Sequence, residues 1–303
     1  MNDIIIIGCG MAGMTAAVYA LRNNKSVLIL ESTSVGGQIA FSPKVENFPT
    51  YRQISGQDLS NKVFEQVLDL GAEFELEDVS DVQKDADGFF TVTTDIGTHR
   101  SKAVIIATGA KQKHIGIAAE EKLLGKGVYY CAICDGAFYK GKEVALIGDG
   151  NTALQSAMLL SSICTKVYVL TWFDKFFGDA SLVDTIRKTE NIIVMPNTNV
   201  VDFLGTDRLE GLKVVRRDEG TDFILNVPAV FVAIGQVPEN KAFTKVAELD
   251  KFGYIVTDEG MRCKVAGVFA AGDTRQKTFR QLTTAANDGT IAALGAINYI
   301  NSL

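Results

Sequence analysis

Two stretches of this chain repeat one another, and that repetition limits the fold more than any other feature. DIIIIGCGMAGMTAAVYALRNNKSVLILES (3–32) reads as an apolar β run, a glycine-rich turn, a helix with apolar residues at 3–4 spacing, and a second β-branched strand. EVALIGDGNTALQSAMLLSSICTKVYVLTWFD (143–174) gives the same order at nearly the same spacing. Each is a βαβ unit of Rossmann type. Strand-rich segments follow both units: FFTVTTD (89–95) and KAVIIATGA (102–110) behind the first, LKVVRRD (212–218) and PAVFVAIGQVPEN (228–240) behind the second. GVFAAGDT (267–274) and the helical QLTTAANDGTIAALGAINYI match nothing in the second half, so they are read as the completion of the first. The expectation is an α/β chain with two Rossmann-like nucleotide-binding domains of the three-layer ββα type, the second inserted into the first. Residues 1–113 and 242–303 form one domain, and 114–241 the other.

Composition agrees with two cores, since 303 residues with 47% hydrophobic content suffice for both. A net charge of −6 gives no general attraction for nucleic acid or an anionic membrane. The lysines at 111, 113, 140 and 142 read first as solvated surface, and second as a local patch that steers an acidic partner. No apolar run approaches the roughly 20 residues that span a bilayer. MNDIIIIGCG enters a strand directly, without the marks of a signal peptide, so the expected location is cytoplasmic.

The first glycine turn, Gly8-Cys9-Gly10-Met11-Ala12-Gly13, stands between a strand and a helix. Gly8 permits the tight turn, Gly10 lets the backbone approach a pyrophosphate, and Gly13 allows helix and strand to pack closely. The helix start supplies free amides and the positive end of its dipole. Glu31 ends the second strand about 20 residues on, where a carboxylate accepts hydrogen bonds from a ribose. The turn points to a dinucleotide, and by itself fits FAD or NAD equally.

Five cysteines at irregular spacing do not make a disulfide scaffold. Cys131-Ala-Ile-Cys134 puts two sulfurs on one face of a helical turn, close enough to bridge, and a helix start favours a thiolate. Structural zinc needs two further ligands at metal spacing, and neither His99 and His114 nor the other cysteines supply them. No metal is expected. Cys9, Cys164 and Cys263 read as small buried fillers.

The second glycine turn, Gly148-Asp149-Gly150-Asn151-Thr152-Ala153, carries a carboxylate at its middle position, which is unfavourable beside an anionic pyrophosphate. The strand KVYVL (166–170) then runs into Thr171-Trp172-Phe173 and Phe177, aromatic where a 2′-phosphate site wants arginine. The acid nearest the strand end, Asp174, is three residues late for an NADH-type ribose contact.

GGQI (36–39), VENFP (45–49), ATG (107–109), CAICDG (131–136), VFAAGD (268–273) and RQLTTAANDG (280–289) resemble, in order and over essentially the whole chain, the motifs of the thioredoxin reductase family. The resemblance implies FAD in the first domain and a homodimer. It places Gln38 and Asn47 near the isoalloxazine, Asp273 at the ribitol–phosphate region, and Gln281 and Leu282 against the ring. Met11, Ala12, Ser32, Gly37, Val79, Thr108, Gly109, Gly272 and Arg280 complete the implied FAD set. Cys134 is implied as the flavin-proximal sulfur, Cys131 as the thiol that attacks the disulfide of thioredoxin, and Asp135 as the acid/base that manages the thiol proton. The family's phosphate motif, His-Arg-Arg, three residues, then Arg, falls on 171–173 and 177 and is missing. Intact flavin and CxxC motifs beside a defaced nucleotide motif resemble the ferredoxin-dependent members of the family, in which an iron–sulfur ferredoxin feeds electrons singly to the flavin. The alternatives are an NADH- or NADPH-dependent reductase with divergent recognition, a flavin dithiol oxidase, and a non-catalytic flavin sensor.

Overall fold

The computed structural model describes residues 1–42 and 45–303, which form two units: Met1–Lys111 with Val237–Leu303, and Gln112–Gln236. The dividing points differ slightly from those expected. Lys113 donates its backbone N–H to Gly235 O within the second unit. Segment 237–241 belongs to the first because Asn240 Nδ2 bonds Gly253 O and Thr274 O, both at 3.0 Å.

In the first unit the unbroken Ile4–Ile7 run forms the centre of a parallel sheet and is buried on both faces. Strand Asn2–Ile7 pairs with Val27–Glu31 on one side and with Thr98–Ile106 on the other, and Glu73–Leu76 extends the first side. Thr98–Ile106 has two successive neighbours. Its first half pairs antiparallel with Phe90–Thr94, which pairs with Val79–Lys84, and its second half pairs parallel with Val268–Ala270. This double pairing explains why the strand spans 98–106, whereas 102–110 was expected. The meander starts it early, and residues 107–109 turn toward the glycine loop, where Ala107 N bonds Ile7 O.

One apolar cluster joins Ile4 and Ile6 to alanines of helices Met11–Arg22 and Leu282–Asn301. A second joins Ile5 and Ile7 to Val82, Phe90 and Val92 of the meander. The unit is therefore three layers deep: helices, parallel sheet, antiparallel meander.

The second unit repeats the plan. Ile192–Met195, Lys166–Leu170, Glu143–Ile147, Val230–Val232 and Val128–Tyr129 form a parallel sheet in that order. Helices Asn151–Ser161 and Ala180–Lys188 pack with it, and Thr198–Leu204, Gly211–Arg216 and Thr221–Leu225 form the meander. The repeated units are both α/β and Rossmann-like. The one-turn helix Ala132–Asp135 follows strand Val128–Tyr129 almost directly. Among the described residues no helix is long and apolar enough to cross a membrane.

Candidate active site

Three features carry chemistry: a cradle in the first unit, a disulfide in the second, and a cavity in the second. The cradle forms where strand Asn2–Ile7 passes into helix Met11–Arg22. Gly8 has φ +107°, and a Cβ there would stand 2.4 Å from Ala107 O, so only glycine fits. A Cβ on Gly13 would meet Gly8 O at 2.0 Å. Above Gly10 the space is open, the nearest atom to an added Cβ being Gly36 O at 4.0 Å. Gly10 caps the helix without any side-chain acceptor, so the amides there are free for an anion. Met11 and Ala12 are buried beneath them.

Other expected cradle residues converge on this turn. Gly36 N donates to Cys9 O, and a Cβ on Gly37 would lie 3.5 Å from Gly10 Cα. Glu31 accepts from Cys9 N at 2.8 Å and from Thr33 N at 3.0 Å, so its carboxylate is fixed at the turn with lone pairs to spare. Thr108 Oγ1 lies 3.0 Å from Thr274 Oγ1, and Gly109 turns the chain with φ +69°. Gly272 packs on Ala12 and gives its N–H to Asp288. Gln281 caps helix Leu282–Asn301 and accepts from Asn47 Nδ2 at 3.3 Å, while Leu282 packs with Met11.

Two buried polar atoms here, Asp273 Oδ1 and Arg280 Nε, have no partner among the described residues. Burial raises the Asp273 carboxyl above the usual range, opposed by Lys277 and Arg280. Such atoms call for a ligand. Open space over Gly10, bare amides and an orphaned carboxylate oxygen together fit a dinucleotide such as FAD. Ser32 and Gln38 are exposed, whereas Val79 packs against the Ile5 and Ile7 cluster, which is a core contact.

Cys131 and Cys134 form a disulfide, with Cα atoms 5.3 Å apart. Cys131 caps the helical turn, and its sulfur accepts from Cys134 N at 3.1 Å. Asp135 is 7% exposed, and its Oδ1 has no partner among the described residues. Desolvation pushes its carboxyl up to about 7, a suitable position for exchanging protons near neutrality. Beside it Tyr129 and Tyr139 share a hydroxyl–hydroxyl hydrogen bond of 3.0 Å, and the Tyr130 hydroxyl donates to buried Glu120. None of these tyrosine contacts was visible as chemistry in the sequence. Of the other cysteines, Cys9 and Cys164 are buried as expected, but Cys263 is only half-buried.

A cavity of about 750 Å³ lies within the second unit, lined by the Gly148–Thr152 turn, Trp172, His114, Asn199 and Gly235 among others. Burial raises the Asp149 carboxyl above its ordinary value. The segment after strand Lys166–Leu170 folds back on the turn: Phe177 N donates to Asp149 O at 2.7 Å, and Asp179 N to Asn151 Oδ1 at 2.7 Å. Phe173 and Phe177 meet edge to face at 5.0 Å. A cation reaches this corner by another route. Arg217, just beyond strand Gly211–Arg216, lies 4.1 Å over the Trp172 ring and donates to Trp172 O at 2.8 Å. Arg217 lies outside the stretch that follows strand Lys166–Leu170, because the meander delivers it from 45 residues away.

The family model for pyridine nucleotide-disulphide oxidoreductases matches residues 2–289. Over 302 residues the chain is 40% identical to a thioredoxin reductase of Listeria monocytogenes, covering 99% of this chain and 94% of that protein. It is 39% identical over 301 residues to the 34.2 kDa protein in the rubredoxin operon of Clostridium pasteurianum, covering 98% and 97%. The crystal structure of thioredoxin reductase from Streptococcus pyogenes superposes with a TM-score of 0.95 at 34% identity, covering 100% and 99%.

Proposed function

The chain belongs to the thioredoxin reductase family, within the pyridine nucleotide-disulphide oxidoreductases, and from that membership we propose a thioredoxin-type disulfide reductase whose FAD is charged by a ferredoxin-like protein. The observation that carries this reading is the corner around Trp172. Where relatives that use NADPH need arginines, this chain has exposed Trp172, Phe173 and Phe177, and Asp149 stands in the glycine turn. One relative's name places it in a rubredoxin operon, and rubredoxins are small iron electron carriers.

Gly8, Gly10, Gly13, Glu31 and Asp273 would hold the FAD. Bound there, FAD supplies chemistry that accepts electrons singly and releases them in pairs. Reduction of the Cys131–Cys134 disulfide consumes two electrons and two protons and gives two thiols. Cys131 as thiolate attacks one sulfur of the thioredoxin disulfide and expels the other as a thiolate, which takes up a proton. Cys134 as thiolate then attacks the Cys131 sulfur, reforms the internal disulfide and frees the second thioredoxin thiolate. Asp135, with a carboxyl poised near 7, holds and returns the proton of the departing or attacking sulfur. The family also implies a homodimer.

A second reading, an NADPH- or NADH-dependent reductase with divergent recognition, is favoured by Arg217, which brings one guanidinium to the Trp172 corner. Anaerobic mixing separates the two. Reduced ferredoxin should bleach the flavin rapidly while NADPH and NADH leave it oxidised. Rapid bleaching by either nicotinamide overturns the proposal and supports the second reading.

A further inference from the structure

A group of buried charges at the start of helix Leu282–Asn301 takes no part in thiol chemistry. Lys277 has a side chain only 7% exposed, and its Nζ lies 2.8 Å from Asp288 Oδ2 and 3.1 Å from Thr284 Oγ1. Arg275 Nη1 reaches the same Asp288 oxygen at 3.4 Å, and its Nε bonds Thr257 Oγ1 at 2.9 Å. Arg280 lies 4.3 Å over the Tyr254 ring, and its Nε has no partner among the described residues. Asp273 completes the group, its Oδ1 also unpartnered. Among the described residues of this group, three cations thus face two carboxylates, leaving one positive charge in excess.

The position of Lys277 is unusual on two counts. Lysine is almost never buried except beside a partner, which Asp288 supplies here. Thr284 also accepts from Gln281 N at 3.1 Å to close the helix cap, so the ammonium sits against the positive end of a 20-residue helix, where a carboxylate is the stabilising choice. Asp288 satisfies the lysine but leaves the sum of helix end and surplus cation positive.

We infer that Lys277 is a redox-tuning residue, whose charge adds to the helix N-terminus to raise the positive potential in the cradle and so favours reduced over oxidised FAD. The inference rests on the reading that Gln281 and Leu282 border the flavin ring. Uptake of two electrons and one proton leaves a flavin one unit more negative, and a nearby fixed positive charge stabilises that product. A unit charge acting over roughly 10 Å at an effective dielectric near 20 shifts such an equilibrium by about tenfold. For a two-electron couple, tenfold corresponds to about 30 mV.

Spectroelectrochemical titration of the FAD-loaded protein in a Cys134→Ser background, which removes the disulfide couple, tests this. Lys277→Met should disfavour flavin reduction by about tenfold, and Lys277→Arg should restore most of the loss. Asp288→Asn should shift the equilibrium the opposite way. Opposite signs are required of an electrostatic effect, whereas damaged packing moves both variants together. A change below twofold in Lys277→Met, or shifts of equal sign in both variants, overturns the inference. If Lys277→Met sheds its FAD, Asp288→Asn decides alone, and a failure to favour reduction overturns it. Gln281→Glu serves as control, since a carboxylate there disfavours reduction if the ring borders the helix. A moved Gln281→Glu with an unmoved Lys277→Met sinks only the role of Lys277. If both stay unmoved, the placement of the ring fails as well.

Discussion

Asp135→Asn is expected to make the second unit more stable at high pH relative to the unsubstituted protein, while slowing catalysis. The folded carboxyl stands at about 7 against an ordinary value of 3.8, so between those values the folded chain binds more protons than the unfolded one. Stability from this group is therefore complete below the unfolded value and is lost as pH rises through about 7. At about 1.4 kcal/mol per pH unit, the loss is roughly 4 kcal/mol across the window. An asparagine amide left without partners costs about 1–3 kcal/mol, but that cost does not vary with pH. The difference between the two proteins should consequently move by about 3 kcal/mol in favour of the variant between pH 5 and pH 8. Trp172, the sole tryptophan, lies in the second unit and reports its denaturant unfolding by fluorescence. Turnover of the same variant should drop by about 100-fold or more. A flat stability difference across that pH range would refute a buried, proton-holding Asp135.

Cys131→Ser and Cys134→Ser should each abolish reduction of a thioredoxin disulfide while leaving the flavin absorbance intact; measurable turnover in either excludes the exchange sequence. In Gly13→Ala the new methyl meets Gly8 O at 2.0 Å, so the helix must shift. That variant should lose about 2–3 kcal/mol and purify largely without FAD, as read from the ratio of 450 to 280 nm absorbance. Combining Asp149→Gly with Trp172→Arg and Phe173→Arg should create flavin bleaching by NADPH, followed by stopped flow. No gain would show that the block lies elsewhere than at this corner.

The legible parts of this molecule were those in which one short segment carries its own reason. The turn Gly8–Gly13 announces itself because each glycine answers a contact within the same βαβ unit, and CAICDG because both sulfurs share one helical turn. The aromatic run 171–177 was equally visible as a sequence feature, and its functional meaning belongs to the proposal made above. Arg217 escaped notice because the meander brings it to Trp172 from a separate element. The buried pair of Lys277 and Asp288 has no local signal either, since eleven residues separate the two and only the fold brings them together. Asn240 gives the same lesson: its amide ties Gly253 to Thr274, partners that no local pattern connects to it. The early start of strand 98–106 was hidden for a related reason, because strand limits depend on neighbours and the meander pairing overrides the apolar run.

The divided strand Thr98–Ile106 has a consequence for how the chain is made. Its second half waits for Val268–Ala270, and helix Met11–Arg22 waits for Leu282–Asn301, both of which leave the ribosome after residues 112–236. Residues 112–236 emerge in one piece and contain every strand of their five-stranded parallel sheet and of their meander. During vectorial synthesis at about 5–20 residues per second, the later-starting unit is thus able to finish first. The earlier-made Ile4–Ile7 strand meanwhile remains without its full complement of neighbours, which makes this nascent segment the part most in need of chaperone cover.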